Sequence, residues 1–218
     1  MKVFTVAQVR AWDQFTIARQ PIASLDLMER ASVAFVNWFC AHFDNQKQIV
    51  VFCGMGNNGG DGLAIGRLLL QKGYTLKICV VKHTNSPSPD FEANLQRLPP
   101  HTLISFVENA TDIPTLTPTD LVLDALLGSG LSRPATGLMA QTIAAINQRN
   151  ATVVAVDIAS GLHANSATEP GEITICPDHT VTFEMPKLAL LLPGNAKDRK
   201  STRLNSSHVS QSRMPSSA

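Results

Sequence analysis

Residues 48–81 read QIVVFCGMGNNGGDGLAIGRLLLQKGYTLKICVV, and the succession of patterns in this stretch decides the fold. A short apolar, β-branched run (QIVVFC) leads into a glycine-rich loop. A segment with helical apolar spacing (LAIGRLLLQKG) follows, and then a second apolar run (TLKICVV). This is a βαβ unit in which Gly73 stops the helix and Tyr74 leads into the second strand. Runs such as IVVF here and TVVAV further on show no polar alternation, the pattern of strands buried on both faces of a helix-covered parallel sheet.

The same reading extends in both directions. Further strands are expected at 102–107 (TLISFV), 120–127 (DLVLDALL), 151–158 (ATVVAVDI) and 179–185 (HTVTFEM), with a helix over Leu138–Gln148 and a surface connection at 83–90 (HTNSPSPD). Two helices precede the first strand. One covers residues 5–19, with Val6, Val9, Trp12, Phe15 and Ile17 at helical spacing. The other covers Leu25–His42, with Leu27, Met28, Ala31, Ala34, Phe35 and Trp38 on one face. Those faces read as packing or dimer surfaces, and Thr5 or Ser24 as start caps. The expected fold class is α/β: a Rossmann-like three-layer sandwich with a mostly parallel sheet and two N-terminal helices.

Composition narrows the function classes. The 218 residues are 44% hydrophobic and 16% charged, enough for one sizeable core. A formal charge of +1 argues against nucleic acid or an anionic membrane as partner. Cys40, Cys53, Cys79 and Cys176 form no C-x-x-C pair and no metal-like spacing with the six histidines, which fits a reducing cytoplasm. No apolar run approaches the roughly 18 residues of a membrane span, and no signal region opens the chain. The expectation is a cytoplasmic protein.

The C-terminus stands apart. Residues 198–218 hold seven of the 16 serines, with apolar residues too sparse to form a face, so a disordered tail is expected there. The words DRKSTRLNSSH and SRMPSSA resemble the conceptual translation of a sequencing-library adapter. On that reading the domain is 1–197, the tail 198–218 is non-native, and the domain is truncated before a terminal strand, with an exposed sheet edge and low stability as the consequence. Without Arg199, Lys200, Arg203, Arg213 and Asp198 the formal charge becomes −2.

Ligands of open parallel sheets bind beyond the carboxyl ends of the strands, so the residues following each strand are the candidates. After QIVVFC, Gly54-x-Gly56-x-x-Gly59 resembles a dinucleotide loop, but the next strand ends Val80-Val81-Lys82-His83 without the ribose-binding acid. Asp61 would also compete for the amides that bind pyrophosphate, so ordinary NAD binding is disfavoured. Asp61 is alternatively a plain N-cap. Asn57 and Asn58 supply amide donors and acceptors suited to a neutral polar group or a cation. LVLD ends at Asp124, and the turn Gly128-Ser129-Gly130 follows, where Arg133 and exposed amides suit a phosphate. After VVAV comes Asp157, with Ser160-Gly161 beyond. Three strand ends with polar groups backed by glycine point to one shared cleft. Asn58, Asp124 and Ser160 offer only hard oxygens, which disfavours zinc or copper and suits a low-charge cation or magnesium.

At GMGNNGGDGL, DALLGSGLSRP and VDIASGL, and from VAQVRAWD and LMERAS through TFEMPKLALLLPG, the sequence resembles the NAD(P)H-hydrate epimerase family, the YjeF N-terminal domain. The resemblance implies a Rossmann-like homodimer that interconverts the R and S epimers of NADHX and NADPHX with potassium bound. It implies substrate binding by Asn57, Asn58, Gly59, Gly60, Asp61, by Gly128, Ser129, Gly130, Leu131, Ser132, Arg133, Pro134, and by Asp157. It also implies potassium ligands at Asn58, Asp124 and Ser160, and an active-site lysine at Lys82. The family's proline before Ser-Gly is Ala159 here. In many bacteria the family continues into a fused ADP-dependent dehydratase. As catalytic residues the expectation names Asp124 first, with Asp61, Asp157 or Lys82 in support. The competing reading is a catalytically idle nucleotide-binding or protein-interaction module of the same fold.

Overall fold

In the computed structural model, which describes residues 4–19, 22–148, 151–192, 195 and 201–205, the chain folds around seven strands. They are β1 (Ile49–Cys53), β2 (Leu76–Val81), β3 (Leu103–Val107), β4 (Leu121–Ala125), β5 (Thr152–Val156), β6 (His179–Phe183) and β7 (Ser201–Asn205). Their order is β3-β2-β1-β4-β5-β6-β7, and every neighbouring pair is parallel. The chain winds outward from β1 in one direction and from β4 in the other. The reversal opens a crevice at the carboxyl ends of β1 and β4.

Alternation along the central strands builds two cores, one on each face. Ile49, Val51 and Cys53 of β1, with Leu121 and Leu123 of β4, pack under α2 (Ser24–His42), α3 (Asn57–Gln71) and α4 (Pro89–Gln96). Val50, Phe52 and Val122 pack on the other face against Met139, Ile143 and Ile146 of α5 (Gly137–Asn147). The three expected layers are present, and the sheet is wholly rather than mostly parallel. α4 begins in the last two residues of the expected connection (83–90) and runs beyond it, started by Ser88, whose hydroxyl accepts from Phe91 N, and by Pro89.

α1 (Val6–Arg19) is capped as expected. Thr5 Oγ1 accepts from Gln8 N at 3.3 Å and Gln8 Oε1 accepts from Thr5 N at 2.9 Å, a reciprocal capping box. The apolar residues of this helix do not form one buried face, however, and Phe15 is 55% exposed. A strict three-residue spacing drifts by about 60° per step around a helix of 3.6 residues per turn, so Val6 and Phe15 lie on opposite sides. Ser24 is not a cap; Ala23 holds that position and the Ser24 hydroxyl donates to Asp90 Oδ2 at 2.7 Å.

Gly73 ends α3 at φ +82° in a Schellman arrangement, with Tyr74 N donating to Leu69 O and Gly73 N to Leu70 O. A Cβ there would meet nothing within 4 Å, so strain in the left-handed region is the whole penalty of a side chain. Gly73→Ala is expected to cost about 1–2 kcal/mol, read as a lower urea midpoint at unchanged m-value.

Residues 201–205 form β7 along the edge of β6, in register from His179↔Ser201 to Phe183↔Asn205. An unpaired parallel edge offers a row of backbone donors and acceptors, and an edge strand needs little apolar surface to use them. The remaining tail residues, 198–200 and 206–218, lie outside the described residues.

Candidate active site

The segment leaving β1 is short. Gly56, at φ −95° and ψ −170°, is the N-cap of α3, so Asn57-Asn58-Gly59-Gly60-Asp61 forms the first turn and a half of a helix rather than a loop. Close packing explains the glycines. A Cβ on Gly59 would stand 1.8 Å from Gly54 O, and one on Gly62 would stand 2.5 Å from Ala125 Cβ and 2.9 Å from Cys53 Sγ. The helix therefore sinks its N-terminus onto β1 and β4, and Asp61, the fifth helical residue, is not the N-cap.

Asp124, on β4, is fully buried beneath the crevice. Its Oδ1 accepts from Leu126 N at 3.2 Å and from Ser160 Oγ at 2.5 Å, and its Oδ2 accepts from Ser160 N at 2.8 Å. Burial pushes the carboxyl up to about 6, against the pull of the Ser160 and Leu126 hydrogen bonds. Ser160 Oγ also lies 3.1 Å from Leu127 O, which accepts from Asn58 Nδ2 at 3.2 Å. The single hydroxyl proton of Ser160 thus faces two acceptors. Leu127 N in turn donates to Ser160 Oγ at 2.8 Å, so neutral and carboxylate oxygens from the ends of β1, β4 and β5 gather beneath the cleft, a set of hard oxygens. Gly128 closes the turn on this cluster, since a Cβ there would come within 3.0 Å of Asn58 Cβ.

Asp157 follows β5 with φ +68°, a conformation that Asp and Asn tolerate better than other side-chain-bearing residues. Its Oδ1 accepts from Phe183 N at 2.9 Å and Thr182 Oγ1 at 3.3 Å and pairs with Lys187 Nζ. Its Oδ2 takes no hydrogen bond from the described residues. Glu184, after β6, is also left-handed at φ +59°. Two strained non-glycine residues at adjacent strand ends are a local sign of a working site. Phe4 forms an isolated parallel bridge with Lys187, and Val6 N donates to Asn165 Oδ1 at 3.0 Å, so the start of α1 is tied to this corner.

Above these groups lies a cleft of about 1080 Å³. Val9, Leu27 and Met28 give it an apolar wall, while Asn57, Asn58, Asp61, residues 128–136 and Asp157 line the polar side. The volume is ample for a dinucleotide-sized ligand.

Comparison with known proteins agrees with this geometry. Residues 24–189 match the family described as YjeF-related protein N-terminus. The chain belongs to the YjeF_N family.

Among YjeF_N relatives, the chain is 38% identical to an NAD(P)H-hydrate epimerase of Limosilactobacillus fermentum over 87% of this chain and 89% of that one. It is 35% identical to that of Weissella koreensis, covering 86% and 82% of the two chains. It is 36% identical to a bifunctional NAD(P)H-hydrate repair enzyme of Moorella thermoacetica, over 89% of this chain but 38% of that longer one. The crystal structure of yeast ynu0 (YNL200c) has the same fold, with TM-score 0.70 at 21% identity, covering 90% of this chain and 84% of that one.

Of the residues singled out in this YjeF_N sequence, Asn57, Asn58, Asp61, Gly128 through Pro134 and Asp157 all line the cleft. Gly59 and Gly60 are buried behind them, and Asp124 and Ser160 lie fully buried beneath. Lys82 is not brought into the cleft. Its Nζ sits 2.6 Å from Glu108 Oε1 and 4.9 Å over the Phe106 ring, because Lys82, whose N donates to Val107 O, faces β3, and the next residue, His83, lines the cleft instead. Asp124 has both oxygens engaged and does not line the cleft. Lys187 went unread, although the strand-end argument applied to β6 points four residues short of it.

Proposed function

We propose that this chain is an NAD(P)H-hydrate epimerase that interconverts the R and S epimers of NADHX and NADPHX. The observation that carries the reading is Asp157, a cleft carboxylate with one oxygen taking three donors and the other none among the described residues, in a YjeF_N chain 38% identical to an NAD(P)H-hydrate epimerase. The stereocentre of the hydrate bears a hydroxyl beside the ring nitrogen. The Asp157 carboxylate, paired with Lys187 at rest, takes a solvent proton on Oδ2 and passes it to that hydroxyl, so that water leaves as the nitrogen lone pair forms a C=N⁺ bond, giving a planar cation. Water adds to the other face and returns a proton to Oδ2, so atoms and charges balance over the cycle.

Asn57, Asn58 and the turn 128–134 hold the substrate, and the exposed Arg133 guanidinium suits a phosphate. Asn58, Asp124, Ser160 and the Leu127 carbonyl would hold a potassium ion, which supplies a fixed positive charge under the cleft. A higher melting temperature in KCl than in choline chloride at equal ionic strength is the expected result, with no difference in Asp124→Asn. A cytoplasmic homodimer working beside a dehydratase, fused as in the bifunctional relative or separate, completes the reading.

The test supplies the R epimer together with an S-specific dehydratase. Consumption of R well above the spontaneous rate supports epimerase activity. Binding without turnover would make the chain an idle module instead.

A further inference from the structure

We infer that Lys187 is a positioning residue for the reaction, acting through Asp157, an assignment that rests on the epimerase reading above. Lys187 is 4% exposed, yet it borders the cleft. An ammonium carries three N–H donors, and all three have acceptors inside the protein: Asp157 Oδ1, Thr182 Oγ1 at 3.1 Å and Phe183 O at 2.9 Å. It therefore has no donor left for a substrate and is not itself a proton donor in the cycle. Its backbone is fixed as well, by the bridge to Phe4 and by Leu190 N donating to Lys187 O at 3.0 Å, in a turn whose Ala189 and Leu190 are buried.

The consequence falls on Asp157. With Lys187 Nζ, Phe183 N and Thr182 Oγ1 all on Oδ1, the carboxyl plane is held and Oδ2 alone is left to exchange the proton. When the Oδ2–H bond breaks and the proton passes to the substrate hydroxyl, the carboxylate that forms already has a cation and two neutral donors on its other oxygen. That charge develops during the reaction, so the preorganised ammonium acts on the rate more than on substrate binding.

The test measures kcat and KM for R-epimer consumption in wild type, Lys187→Met, Asp157→Asn and the double variant, at a temperature where all are folded. Lys187→Met is expected to lower kcat by about 100-fold, with KM held within about threefold, and the double variant to be no slower than Asp157→Asn alone. Two results would overturn the assignment. One is a Lys187→Met kcat within threefold of wild type. The other is a double variant slower than Asp157→Asn by the same factor that Lys187→Met slows the wild type, which marks an independent or purely structural role. Should Lys187→Met fail to fold, Lys187→Gln, whose amide retains two donors without the charge, takes its place under the same criteria. A wild-type protein that does not consume the R epimer would sink the epimerase reading itself, a result distinct from active wild type with unaffected Lys187 variants.

Discussion

Asp157→Asn is expected to slow epimerisation by about 10²–10⁴-fold, the usual worth of a positioned proton-transfer group. Asparagine is the substitution to use because it tolerates the φ of +68° and keeps the size of the side chain. It also leaves the Lys187 ammonium buried without a counter-charge, and breaking a largely buried pair of this kind costs about 3–5 kcal/mol. The two effects separate in Asp157→Asn/Lys187→Met, which removes the orphaned charge. Stability should recover toward wild type in a denaturant melt while turnover stays low. Recovery of both would mean that Asp157 serves only the fold.

Gly59→Ala is expected to destabilise the protein by about 3 kcal/mol or more. The new methyl would lie 1.8 Å from Gly54 O and 2.7 Å from Gly54 C, both backbone atoms that move only if α3 lifts off β1. Gly56→Ala is the control. Nothing lies within 4 Å of a Cβ there, so the expected cost is only that of a poorer N-cap, about 1 kcal/mol. Equal urea midpoints for the two variants would show that α3 does not approach β1 as closely as described.

Much of this was legible beforehand because parallel strands buried on both faces leave an unambiguous pattern. The runs at 49–53, 76–81, 121–125 and 152–156 were readable for that reason, and Asp124, Asp157 and Ser160 followed from asking what stands at strand ends. That question carries no information about depth or direction. Asp124 ends a strand but lies sealed below the cleft, and Lys82 ends a strand but turns to Glu108 at the sheet's edge. Lys187 reaches the site through an irregular turn after β6, where no periodicity marks it, and only the tertiary pairing with Asp157 gives it meaning.

The bridge between Phe4 and Lys187 has a practical side. The residue that carries the buried ammonium shares backbone hydrogen bonding with Phe4, a very short lever between the start of α1 and the proposed proton-transfer corner. A purification tag or reporter fused ahead of Phe4 is therefore expected to change the measured activity, and a comparison of tagged and untagged protein checks it.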